Sequence, residues 1–238
     1  MLLESALRNS LAWYGAVLGA HGIESELTEN YWATDAAVPP YYSNLVTTTG
    51  AEGTPSQLAR IRALAAAPPK PDWSLKDSFA RLELEPLGLR VLFDAQWFGL
   101  PAGALDNPDR ETDLRFVPVA DAAALKHWER AWQQSSPAPG RRVFPPGLLS
   151  HPDVTFLSVM RGSQLVGGAA ANLSSGAVGL SNVFGPSLAL QRDCVRFLRA
   201  LHPDRAIVGY GRAAGLRDLA PLGSLELGSL RVWVAALD

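Results

Sequence analysis

The chain opens with Leu3, Leu7, Leu11, Tyr14 and Leu18 at helical spacing, which predicts an amphipathic helix over residues 2–18. Strand-like runs follow around Ile23 to Trp32 and Tyr41 to Thr48. Thr54, Pro55 and Gln57 then stand in the order of a capping residue, a first-position proline and a third-position Gln, so a helix should run from there to Ala67, before Pro68 and Pro69. A strand is expected near Trp73 to Ser78, and a strand or hairpin over Leu89 to Phe98 after the turn Pro86-Leu87-Gly88.

Residues 99–114 hold Pro, Gly and acids with few large apolar groups and read as a linker. Beyond it, Arg115 to Val119 reads as a strand, and Asp121 as the cap of a helix carrying Leu125, Trp128 and Trp132. A Pro-rich loop covers Ser135 to Gly147. Strands are expected at Val154 to Met160, Leu165 to Leu173 and Val178 to Phe184, then a helix over Ser187 to Leu201. A strand over Ala206 to Tyr210, a short helix over Gly215 to Leu222 and a closing pair of strands over Leu225 to Ala235 complete the chain.

The halves echo each other. Strand, helix, strand, short helix and strand pair occur over 41–98 and again over 178–235. Ser43-Asn44 matches Ser181-Asn182 at a spacing of 138, and Pro86-Leu87-Gly88 matches Pro221-Leu222-Gly223 at 135. A repeat of this length implies two similar units, 1–108 and 109–238, rather than a solenoid.

Composition narrows the function. Apolar residues are 47% and charged residues 18% of 238, with a net charge of −2. Such a chain builds a core, and its charge argues against a nucleic-acid partner. The single cysteine, Cys194, excludes an internal disulfide and a Cys-rich metal site. The four His show no metal spacing, so no metal is expected. No apolar run is long enough to span a membrane, and the N-terminus fits a helix better than a signal peptide. Cytoplasmic localisation and no membrane partner are the expectations.

The stretches RFVPVADAAALKHWERAW, VTFLSVMRGSQLVGGAAANLS, AVGLSNVFG and RAIVGYGRAAGLRDLAPLGSLELG give residues 113–238 an element order that resembles the GNAT superfamily of CoA-dependent N-acyltransferases. Residues 21–98 look like a shortened second copy. The resemblance implies an α/β (α+β) fold of two GNAT-like units, each a mixed sheet flanked by helices. It implies acetyl-CoA or another acyl-CoA as cofactor, and a small-molecule or peptide amine as acceptor. In that family a deprotonated amine attacks a thioester held where the fourth and fifth strands splay apart. The pyrophosphate sits on amides at the following helix N-terminus. The corresponding residues here are Asn182, Val183, Phe184, Gly185, Ser187, Leu188 and Arg192. This chain departs from the family loop (Gln or Arg, two residues, Gly, any, Gly or Ala), having one Gly, Pro186 without a donor, and Leu188 and Leu190 expected to crowd a phosphate. The first copy's turn, Gly50 to Gly53, carries Glu52, which would repel phosphate unless it points away. The family's usual acidic Tyr is replaced by Leu219, and by Leu84 in the first copy, so no catalytic residue is assigned. The alternative is a non-catalytic GNAT-fold binding or interaction protein that has lost the CoA phosphate site. A tandem unit acting on aminoacyl-tRNA is disfavoured by charge.

Three further features stand open to test. Arg192, Arg196 and Arg199 share a helix face that reads as solvated. Lys76, Asp77 and Ser78 stand at a strand end, where the charges read as exposed caps rather than as one wall of a cleft, and Tyr210 reads as a core or rim aromatic. Trp32, Tyr41 and Tyr42 could line an aromatic pocket, with core packing as the default reading.

Overall fold

A computed structural model describes residues 1–103, 105, 113–134, 142–187 and 189–236. Helix α1 (Leu2–Ala20) leads into β1 (Glu26–Leu27), β2 (Tyr31–Ala33) and β3 (Leu45–Thr47). Then come α2 (Thr54–Ala66), β4 (Ser74–Asp77), a 3-10 turn (Glu85–Leu87) and β5 (Leu89–Leu100). The second half runs β6 (Leu114–Pro118), α3 (Ala122–Gln134), a 3-10 turn (Pro146–Ser150), β7 (Val154–Arg161), β8 (Gln164–Ser174) and β9 (Ala177–Phe184). It ends with α4 (Ala189–Leu201), β10 (Ala206–Gly211), α5 (Ala213–Arg217), a 3-10 turn (Ala220–Leu222) and β11 (Leu225–Ala235). Much of the expected linker and of the Pro-rich loop lies outside the described residues. Gly99 and Leu100 belong to β5.

All described strands form one mixed sheet in the order β1-β2-β3-β4-β11-β5-β10-β9-β8-β7-β6. The sheet is continuous through β5 and β11, the last strands of the two halves of the chain. β5 leaves the first half to pair with β10, and β11 leaves the second to pair with β4. β5 and β11 pair with each other between them. Each reads as one long strand; the closing pair expected over 225–235 is a single strand with bulges near Gly228 and Trp233. One spacing, 135 residues, relates the starts of α2 and α4 and of the two 3-10 turns at Glu85 and Ala220. Both turns end in a left-handed glycine, Gly88 (φ 76) and Gly223 (φ 80). At that spacing Ser43-Asn44 does not fall on Ser181-Asn182, so that match is set aside.

Helices α1 and α3 cover one face of the sheet, and α2, α4 and α5 the other. On the first face Trp13, Trp128, Trp132, Phe144 and Phe156 meet edge to face or tilted. Asn9 fixes α1 over the second half. Its amide donates to the carbonyls of Asn172, Ser174 and Ala177, and Asn172 donates back to the Asn9 carbonyl. Asp121 caps α3 through the amides of Ala123 and Ala124. The capping box expected at α2 does not form. Thr54 is already helical, and the Gln57 amide turns away to the carbonyls of Asn30 and Thr49. No helix among the described residues is long and apolar enough to cross a membrane.

Candidate functional site

β9 and β10 run parallel and pair through Ala177–Gly179 and Ala206–Val208. Both strands continue, to Phe184 and Gly211, without pairing further with each other. Part of this divergence comes from a bulge. β8 and β9 shift register between Gly168 and Ala170, opposite Phe184 and Ser181, and Asn182 adopts a left-handed φ of 51. A cleft of about 430 Å³ opens in the gap.

Asn182, Val183, Phe184, Gly185 and Ser187 line this cleft together with Tyr210. Leu188 lies outside the described residues. Arg192 is half-buried one turn further on and does not line the cleft; its Nε is buried without a hydrogen-bond partner. Leu190 does not crowd the cleft. It is buried in the core beneath Gly167 and Gly185. Nor are the arginines of α4 one solvated face. Arg196 pairs with Asp193 at 3.0 Å, while Arg199 is buried and donates to the carbonyls of Leu100, Pro101, Pro203 and Arg205. Its role is to tie the end of α4 to the end of β5.

The corresponding strand ends of the first half are built differently. Its parallel strands β3 and β4 are bridged where they end. Thr47 Oγ1 accepts from the Ser78 amide, and Asp77 accepts from the amides of Phe79, Arg81 and Leu82. At Gly50, the Glu52 carboxylate itself accepts the backbone N–H at 3.1 Å, so an acid already takes up a donor that a phosphate would use.

The cleft adjoins an inner cavity of about 170 Å³ through a shared wall of Leu180, Ser181, Asn182 and Tyr210. Helix α1 forms much of its other side through Asn9, Ser10, Trp13 and Tyr14. Beside it is Lys76, which corrects the expectation of an exposed strand-end charge. Lys76, Asp77 and Ser78 are all buried. Lys76 Nζ donates to Ser10 Oγ at 2.8 Å and lies 4.5 Å from the Tyr14 ring, 4.8 Å from Tyr210 and 5.4 Å from Trp97. No carboxylate pairs with it among the described residues. Burial pushes its amine down to about 7, while the ring faces favour the cation. Burial also raises the phenols of Tyr14, Tyr42 and Tyr210, so these remain neutral near pH 7. Of the three aromatics singled out in the sequence, Tyr41 and Tyr42 line the cavity, and Trp32 packs on Tyr14 in the core.

Leu84 and Leu219 are buried in the core and line neither the cleft nor the inner cavity. Cys194 is buried as expected of a small hydrophobe, its thiol pushed up to about 12. The described residues contain no metal-holding cluster. Sequence reasoning missed Ser10 and the depth of Lys76. One signal was present. Ser10 and Tyr14 stand four apart on α1, one turn of one face.

No protein-family model and no curated protein matches the chain by sequence. Solved structures do match in fold. A GCN5-related N-acetyltransferase from Kribbella flavida is similar at a TM-score of 0.64 and 14% identity, covering 97% of this chain and 95% of that one. A conserved protein of unknown function from Staphylococcus epidermidis matches at 0.64 and 11% identity, covering 91% and 95%. A GCN5-related N-acetyltransferase from Sphaerobacter thermophilus matches at 0.53 and 11%, covering 97% and 92%. The likeness spans both halves, beyond the C-terminal stretch that carries the resemblance most clearly in the sequence. The chain has the fold of the GCN5-related N-acetyltransferases, the GNAT fold.

Proposed function

We propose that this protein is an acyl-CoA-dependent N-acyltransferase, built as a tandem of two GNAT-like units, 1–108 and 109–238, of which the second holds the working cleft. The observation that carries the reading is the divergence of β9 from β10 after Gly179 and Val208. It leaves strand backbone at 180–184 beside a cleft, next to an inner cavity that would seat the acceptor amine. Leu190 leaves the approach to the following helix clear, and Ser187 is exposed at its start. The tandem reading rests on the constant spacing of α2 with α4 and of the 3-10 turns, and on the exchange of β5 and β11.

The bound acyl-CoA would supply the activated carbonyl. The chain's part is to hold the thioester along the open edge of β9 and to exclude water from the amine. Thermal unfolding with and without acetyl-CoA tests the reading. Ligand at 100 times its dissociation constant adds about 2.7 kcal/mol, and an unmoved melting temperature at millimolar acetyl-CoA overturns it. One observation favours a second reading, a non-catalytic acyl-CoA binder. Residues 185–187 offer one Gly, and Pro186 lacks an amide donor. Stabilisation by acetyl-CoA without turnover of any amine would support that reading.

A further inference from the structure

The inner cavity offers ring faces to a ligand but no carboxylate. Trp13, Tyr14, Tyr41, Tyr42, Trp97 and Tyr210 all contribute to it. None of the described lining residues is acidic. The ionisable amine beside it is the protein's own, Lys76, which Ser10 separates from the cavity. An alkylammonium entering here would find ring faces that attract a cation, but no carboxylate, and three of those rings already face the Lys76 amine; a buried cation without a counter-charge costs several kcal/mol. An amine that is neutral at pH 7 carries no such cost. Aromatic amines are of this kind, and flat rings pack well against aromatic walls. The size agrees. A cavity on the order of 150 Å³ holds one benzene ring, and this one is about 170 Å³. Tyr41, half-exposed and stacked edge-on against Trp132, stands on the outer side.

We propose that the inner cavity takes an uncharged aromatic amine of one ring, and that Ser10, backed by Lys76, receives the proton its nitrogen loses. The proposal rests on the acyl-transfer reading above. The amine's lone pair forms the N–C bond to the acyl carbon, and the C–S bond breaks with its electron pair leaving on sulfur as thiolate. The nitrogen's proton passes to Ser10 Oγ while the Ser10 hydroxyl proton passes to neutral Lys76 Nζ. Amine, thioester and neutral lysine thus become amide, thiolate and ammonium, with atoms and charge conserved. Lys76 acts through Ser10 and is a positioning residue. The groups facing its amine are Ser10 and Tyr14 from α1, Trp97 from β5 and Tyr210 from β10. Its strand partners Val46 and Val232 are apolar, and its neighbour Asp77 is engaged by the amides of 79–82. A proton on Lys76 is therefore balanced by no carboxylate among these groups, which suits a transient acceptor.

The test uses the full chain, with aniline and cyclohexylamine as probes of similar shape and opposite charge at pH 7. Aniline alone should raise the melting temperature and cyclohexylamine should not. With acetyl-CoA present, thiol release should show kcat/KM at least 100-fold higher for aniline. In Lys76→Met the rate with aniline should fall at least 10-fold and lose the inflection near pH 7 that the parent shows, while stabilisation by acetyl-CoA persists. Ser10→Ala should behave likewise and serves if Lys76→Met does not fold. Equal use of both amines, or stabilisation by acetyl-CoA without any effect of aniline, overturns this inference and leaves the acyl-CoA reading standing. No response to acetyl-CoA sinks both. A mass gain of one acyl group on Lys76 would make it the acceptor and overturn the proposal as well.

Discussion

Trp97 of β5 and Tyr210 of β10 are partners in the antiparallel ladder, and their rings meet edge to face with centroids 5.3 Å apart. The last strand of the first half therefore helps to wall the cavity of the second. A matching relation holds on the other side, where Lys76 of β4 is opposite Val232 of β11. Lys76 and Tyr210 occupy corresponding places against the two exchanged strands, and they touch, with the amine over the ring. The cavity is thus walled by residues from both halves of the chain, Trp97 from the first and Tyr210 from the second among them.

Lys76 makes stability depend on pH in a defined window. Its amine titrates near 7 in the folded protein and at 10.5 when exposed. Between these values the unfolded chain binds more protons, so stability rises with pH, by up to about 1.4 kcal/mol per pH unit. Above the unfolded value the penalty is gone; below about 7 it is complete. Lys76→Met should be more stable than the parent near pH 7, with the gap closing towards pH 10. Urea titrations across this range check the slope, and parallel curves for the two proteins would contradict it.

The elements were legible where local spacing determines them. α1 shows its period in Leu3, Leu7, Leu11 and Tyr14, and Asp121 announces α3 because a cap acts within one turn. What could not be read depends on distant partners. Gln57 has the right position for a capping box, but Asn30 and Thr49 offer carbonyls that no local rule anticipates. Lys76 looks exposed at a strand end until α1 and β11 close over it, and Ser10 lies 66 residues away. The run from Asn182 to Ser187, singled out through the family resemblance, lines the cleft between β9 and β10. The bridging of β3 and β4 at their ends was not legible, since it depends on Thr47 meeting Asp77 and Ser78 across the chain.

Arg199 should be intolerant of a conservative change. Its guanidinium reaches four carbonyls on two segments, and the lysine ammonium cannot present donors in that fork. Arg199→Lys should cost about 2 kcal/mol, read as a shift of the urea midpoint with unchanged slope. A variant within 0.5 kcal/mol of the parent, on the order of a surface change, would show that the fork is dispensable.

Glu129 organises the segment entering β7. Its carboxylate, buried on α3, accepts from the amides of Val143 and Phe144. Glu129→Ala would leave two buried donors unmet, at about 1–3 kcal/mol each. Because Phe144 packs on Trp13, Trp128, Trp132 and Phe156, near-UV circular dichroism should weaken along with the melting temperature. A loss of stability with an unchanged aromatic signal would separate the amide contacts from the cluster.

Gly185 and Ser187 let folding and ligand binding be told apart at the cleft. Gly185 holds φ 153, and a Cβ there would come within 2.7 Å of Leu190 Cδ1 and 3.3 Å of the Val166 carbonyl. The Leu190 methyl can swing aside, but the backbone conformation cannot relax without moving β8 or β9. Gly185→Ala should therefore destabilise the protein by about 1–3 kcal/mol, and any loss of acyl-CoA binding in it would be confounded by the fold. Ser187 is exposed and its side chain closes no core contact. Ser187→Ala should keep the parent's melting temperature within the scatter of surface changes, about 0.5 kcal/mol, yet reduce stabilisation by acetyl-CoA if its hydroxyl meets a phosphate oxygen. Comparing the two variants with and without acetyl-CoA decides the point. If Ser187→Ala is stabilised as fully as the parent, the Ser187 hydroxyl holds no phosphate oxygen.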